Sequence, residues 1–155
     1  MDNDNPKLRV PLFYEHEEPE DYKTYIYGSD PDDDTFGKAL KRYADELGLT
    51  QGLLAELTGI SRSSFSCYFN DRRSIGYEYL ILLCVALRLH PLRQEYLFSF
   101  TSHKVRRSDP RYYIFKSFLA GCAFMEKYTV KALSEKLTAE HKKPLIPKKE
   151  TSGNE

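Results

Sequence analysis

The run Ser61-Arg62-Ser63-Ser64, with Ser66 close behind, puts short or flexible polar side chains at the start of a helical segment. Such side chains can meet base edges when the N-terminal end of their helix enters the major groove of duplex DNA. Phe65 falls where that helix must turn inward. No other reactive chemistry is legible. His16, His90, His103 and His141 are scattered, without metal-ligand spacing. Cys67, Cys84 and Cys122 stand 17 and 38 residues apart, which suits neither a disulfide framework nor a zinc site. The chain has no phosphate-cradling glycine loop, no nucleophile elbow and no carboxylate pair in a mechanistic setting. The residues therefore point away from an enzyme and imply no cofactor, no metal and no small-molecule ligand.

A groove-reading helix needs a rigid support, and the flanking sequence supplies one. Thr50 caps a predicted helix over Gln51–Leu57, Gly59 closes it, and Ser61 caps a second over Arg62–Phe69. Two short helices joined by Thr58-Gly59-Ile60-Ser61 form a helix-turn-helix arrangement. Upstream, Thr35 caps a helix with Phe36, Leu40, Tyr43, Ala44 and Leu47 at three-to-four spacing, stopped by Gly48. Downstream, Gly76–Leu89 is almost wholly apolar and reads as the central core helix, and Pro91 opens another. Asp109-Pro110 marks a start for a sixth helix running to about Lys127, and Thr129 caps a seventh. The fold class is all-α. Only the leader breaks the pattern: Tyr22–Tyr27 is aromatic and β-branched and predicts a short strand, and Leu8–Tyr14 is a weaker candidate interrupted by Pro11.

The stretch from Phe36-Gly37 to Leu89 resembles the phage-repressor (Cro-type, XRE-like) helix-turn-helix family. The match runs through Gly48-Leu49-Thr50-Gln51, Leu54-Ala55, Gly59-Ile60-Ser61-Arg62-Ser63, Asn70, Arg72-Arg73, Leu80 and Ala86-Leu87. The resemblance implies a five-helix, lambda-repressor-like domain that binds operator DNA as a homodimer, most simply as a repressor. It implies base reading by Arg62, Ser63 and Cys67, alongside Ser64 and Ser66 of the same helix. It also implies phosphate contacts by Gln51, Asn70, Arg72 and Arg73. Three positions depart from the family pattern. Ala44 and Phe69 stand where the family often pairs arginine with glutamate, which implies an apolar substitute for a buried ion pair. Asp71 replaces a common loop glycine and brings negative charge towards phosphate, and Gly52 lowers the propensity of its helix.

The charge distribution adds one further hint. The chain has 155 residues and no formal net charge, yet residues 1–36 carry eleven acids and three bases, leaving the remainder at +8. A basic body can hold a polyanion, and an acidic leader can shield it or bind a partner. The expected organisation is therefore an acidic extended leader (1–34), the helix-turn-helix domain (35–102), a C-terminal helical extension whose apolar stripes are candidates for dimerisation (103–141), and a basic mobile tail (142–155). Lys104, Arg106, Arg107 and Arg111 form a basic break before the extension, either a set of flanking phosphate contacts or a solvated linker. The longest uncharged apolar run, Tyr79–Leu87, is nine residues, too short to cross a membrane. With an acidic N-terminus lacking an apolar core, this predicts a cytoplasmic protein. The alternative function is a protein-interaction module, antitoxin-like or binding a phage component, that uses the helix-turn-helix surface or the leader.

Overall fold

The computed structural model describes residues 8–145. Its helices are α1 (Tyr22–Tyr27), α2 (Phe36–Glu46), α3 (Gln51–Thr58), α4 (Arg62–Phe69), α5 (Tyr77–Ala86), α6 (Pro91–Ser99), α7 (Tyr112–Gly121) and α8 (Val130–Ala139). Single 3-10 turns occupy Phe13–Glu15 and Pro31–Asp33, and no strand occurs among the described residues. Side-chain caps set six of the eight starts, four of them through hydroxyls. The hydroxyls of Thr35, Thr50, Ser61 and Thr129 accept from the backbone N–H three residues on, at 3.0 to 3.2 Å. Four helices end alike, on a left-handed residue: Gly48 after α2, Asp71 after α4, Arg88 after α5 and His141 after α8. In each, the next residue's N–H reaches back to a carbonyl of the last turn (Leu49 to Ala44, Arg72 to Cys67, Leu89 to Cys84, Lys142 to Leu137). This is the Schellman closure, here built mostly without glycine.

Helix α5 is the hub. Leu80 to Ala86 are all buried, and α3, α7 and α8 pack around it while α2 lies on α4 and α6. The stripe Ile114, Phe115, Phe118, Leu119 and Cys122, with Leu133 and Leu137 of α8, is buried in this same core. The C-terminal stripes therefore cap the chain's own core and are not free to pair two chains. Burial pushes the thiol of Cys84 up, and that of Cys122 up to about 12. No described helix is long and apolar enough to cross a membrane.

Several expectations change. Tyr22–Tyr27 is a helix because the Asp21 carboxylate accepts from the Lys23 N–H at 3.0 Å and the Thr24 hydroxyl at 2.8 Å, while no neighbouring strand offers a ladder. Leu8–Tyr14 is likewise not a strand. Helix α7 starts at Tyr112 because residues 109–112 first close a separate turn, and it stops at Gly121 rather than near Lys127. A Cβ on Gly121 would stand 2.3 Å from the Tyr128 ring, which lies across the end of α7 as the chain doubles back. Arg88 ties that return with bonds to the carbonyls of Cys122 (2.8 Å), Met125 (3.2 Å) and Glu126 (3.1 Å). The tail's first residues also dock: Leu145 is buried in the core, and the Lys143 carbonyl accepts from Arg111. The rest of the basic tail lies outside the described residues.

The leader is laid against α6 and α2. The Arg93 guanidinium is buried, 3.6 Å over the Tyr25 ring and 4.1 Å over Tyr43, and bonds the Tyr25 carbonyl (2.8 Å) and Glu46 (2.9 Å). Asp34 takes the Arg42 fork and the Tyr96 hydroxyl. Phe13, Tyr22, Tyr25 and Phe124 surround His90, whose Nδ1 accepts from the Leu92 N–H at the start of α6. Burial, and secondarily the Arg93 charge, hold the His90 pKa below its ordinary value. Folding therefore releases protons here. This part of the stability is complete above the unfolded value of about 6.5 and is lost as pH falls from there through the folded value. Urea unfolding at pH 5.5 and 7.5 should show a loss at the lower pH that shrinks in His90→Asn, which keeps an oxygen to cap α6.

Candidate nucleic-acid interface

The turn between α3 and α4 is fixed by bonds within itself. The Thr58 hydroxyl donates to the Leu54 carbonyl at 2.8 Å and accepts from the Ile60 N–H at 3.0 Å. Gly59 supplies the left-handed residue, and Ile60 is buried. Within α4, Phe65 and Tyr68 point into the core. The opposite face carries Arg62 and Ser63, both exposed, with Ser64, Ser66 and Cys67 half-buried beside them. The hydroxyls of Ser61, Ser63 and Ser64 form a cluster at the helix start, with Ser61 oxygen 3.2 Å from that of Ser63 and 2.9 Å from that of Ser64. Ser64 also accepts from the Arg73 guanidinium at 3.1 Å, so its hydroxyl braces the loop beyond the helix.

The Arg62 guanidinium lies beside α3: a Cβ built on Gly52 would stand 3.6 Å from its Cζ. That is ordinary contact, so Gly52 is not required for the close approach of the two helices. Gly52→Ala should raise stability by about 0.5–1 kcal/mol in urea unfolding, the helix-propensity difference alone. Gln51 sits half-buried at the first position of α3.

The far end of α4 is held by the residue that departs from the family glycine. Asp71 takes the left-handed conformation at φ 55°, and its carboxylate reaches back to α2. One oxygen accepts from the Gly37 N–H at 2.9 Å, the other from the Thr35 hydroxyl at 2.6 Å. The charge that sequence reasoning set against phosphate is therefore spent on the N-terminus of α2, where the helix dipole favours it. Gly37 makes this contact possible. A Cβ there would stand 2.4 Å from the Phe69 carbonyl oxygen and 2.6 Å from that of Tyr68. The Ala44 and Phe69 positions are apolar in fact as well as in sequence, Ala44 buried and Phe69 packed on the core.

Beyond the helix, the Asn70 amide bonds the Ser66 carbonyl at 2.8 Å and stays exposed. Arg72 is exposed and meets no carboxylate among the described residues, and Arg73 is held over Ser64. Arg62, Arg72 and Arg73 thus frame one face, uncovered by the described part of the acidic leader, which docks on α2 and α6. The residues that sequence reasoning missed are the braces, Asp71 and Gly37 above all. Their partners lie more than thirty residues away, and no local signal joins them.

Residues 40–93 match a helix-turn-helix family, from Leu40 in α2 to Arg93 in α6. This segment is a helix-turn-helix domain. No curated protein and no solved structure matches the chain. Helices α3, α4 and α5 lie wholly inside the helix-turn-helix domain as matched, while α1, α7 and α8 lie outside it and are built onto its core.

Proposed function

We propose that this DNA-binding helix-turn-helix regulator is a sequence-specific cytoplasmic repressor that reads the major groove with α4. The observation that carries the reading is the α4 face itself. Arg62 and Ser63 stand exposed at the helix start, with Arg72 and Arg73 beyond its end, and the negative charge between them is turned inward through Asp71. In this reading Arg62 makes a bidentate contact to guanine, with Ser63, Ser66 and Cys67 fitting neighbouring base edges. Ser64 holds Arg73 at its phosphate. Gln51 at the start of α3, with Asn70, Arg72 and Arg73 in the loop, grips the backbone and sets register.

We further assign the active form as a homodimer on a palindromic site, its two reading helices about 34 Å apart. With the stripes of α7 and α8 buried, pairing must use another face or the DNA itself. Selection of bound duplexes from a random pool by the full chain tests both points. Two inverted half-sites spaced by about one turn are the expected product. Recovery of unenriched sequence would contradict base reading, and a strict monomer in the ultracentrifuge with and without that DNA would remove the dimer. The protein-interaction alternative differs in its outcome: DNA would be ignored at all salt concentrations, and a protein would occupy the same face.

A further inference from the structure

The loop between α6 and α7 lies outside the matched helix-turn-helix segment, yet it is bound to the part of that domain which continues the Arg72-Arg73 loop. A ring nitrogen of His103 lies 2.9 Å from the Ile75 carbonyl oxygen, and the Tyr77 hydroxyl donates to Asp109 at 3.0 Å. Within the loop, the His103 N–H donates to the Thr101 hydroxyl at 3.0 Å, and that hydroxyl donates to the Phe98 carbonyl at 2.8 Å. Both ends of the loop are therefore tied to residues 75–77, two to four residues beyond the arginine pair. Between them opens a concavity of about 490 Å³, lined by Tyr77, Ser102, Lys104, Arg106 and Ser108 among others.

The four basic residues of this region divide sharply. Arg111 is buried, and its guanidinium forks onto Asp109 (3.0 and 3.1 Å) and bonds Glu78 at 2.7 Å, so its charge is spent in fixing the loop to α5. Burial works against the Asp109 charge, but the Arg111 fork and the Tyr77 hydroxyl overcome it and hold the carboxyl below its usual range. Lys104, Arg106 and Arg107 are exposed, and none meets a carboxylate among the described residues. A solvated linker needs no such anchoring. A fixed loop carrying three unmatched cations beside the phosphate-gripping loop suits a polyanion that extends past α4.

We propose that the 101–109 loop is a second anchor for the DNA backbone, in which Lys104, Arg106 and Arg107 contact phosphates flanking the sequence read by α4. The inference rests on the DNA-binding reading above. It assigns these residues affinity without sequence information.

The test is fluorescence anisotropy of the full chain on a random-sequence duplex pool, repeated from about 50 to 200 mM salt. The variants are Arg106→Ala/Arg107→Ala and a control, Lys23→Ala/Lys127→Ala, which removes the same charge from α1 and the α7–α8 connection. Each lost phosphate contact takes about 0.9 from the slope of log K against log salt. The loop variant should therefore show a slope shallower by about 2, with an unchanged unfolding midpoint, while the control keeps the parent slope. A loop-variant slope equal to the parent's, or a control slope that falls as far, overturns this inference and leaves the α4 reading standing. Absence of binding by the unaltered chain overturns both.

Discussion

Replacement of Arg62 by alanine is expected to abolish discrimination at one base pair of the site while leaving non-specific binding within a few-fold of the parent. A bidentate arginine–guanine pair is worth about 1–3 kcal/mol, so preference for the selected duplex over one altered at that pair should fall by about 5- to 150-fold. The side chain is exposed and meets no carboxylate among the described residues, so the fold should be unaffected. Arg62→Lys sharpens the result. It keeps the charge but not the planar fork, and should lose most of the preference while retaining the salt dependence. Competition anisotropy with the two duplexes measures both quantities. If Arg62→Ala retains the parent preference, base reading is carried elsewhere on α4.

The largest effect on stability is expected at Gly37. An added methyl would stand 2.4 and 2.6 Å from the carbonyl oxygens of Phe69 and Tyr68, and 2.8 Å from a carboxylate oxygen of Asp71. The first two are backbone atoms, so the end of α4 and the start of α2 must separate. The bond from the Gly37 N–H to Asp71 then stretches, leaving a left-handed aspartate without its compensation. Overpacking and loss of this brace together should cost about 2–4 kcal/mol in urea unfolding of Gly37→Ala. The contrast with Gly52→Ala is direct: both glycines take the second position of a helix, and the two substitutions should shift stability in opposite directions. A Gly37→Ala protein as stable as the parent would show that α2 and α4 approach less closely than described.

What was legible in the sequence is what is decided locally. Thr35, Thr50, Ser61 and Thr129 each announce a helix within three residues, and each helix begins there. The all-α class and the inward turn of Phe65 follow from the same short-range pattern. Tyr22–Tyr27 misled because β-branched and aromatic residues favour a strand only where a neighbouring strand exists. Here Asp21 instead offers a cap, and Arg93, 68 residues from Tyr25, offers the stacking surface. The stripe on α7 was visible, but a stripe does not say what covers it, and α5 and α8 do. Leu145 gave no signal at all among lysines and prolines, yet it is buried.

At the interface, side-chain types gave the candidate readers and gripping residues. What sequence could not show is which polar groups are already engaged. Ser64 is turned towards Arg73, and Asp71 is turned away from the loop face towards α2. Both facts depend on contacts between segments that approach only in the folded chain.

Binding of duplex DNA by the α4 face is what every other assignment rests on. Its most direct test is titration of the unaltered full chain into a labelled random-sequence duplex at about 50 mM salt, then at rising salt up to about 200 mM. Binding at the lowest salt that weakens steeply and linearly on a log–log plot is expected. No binding at the lowest salt would contradict it.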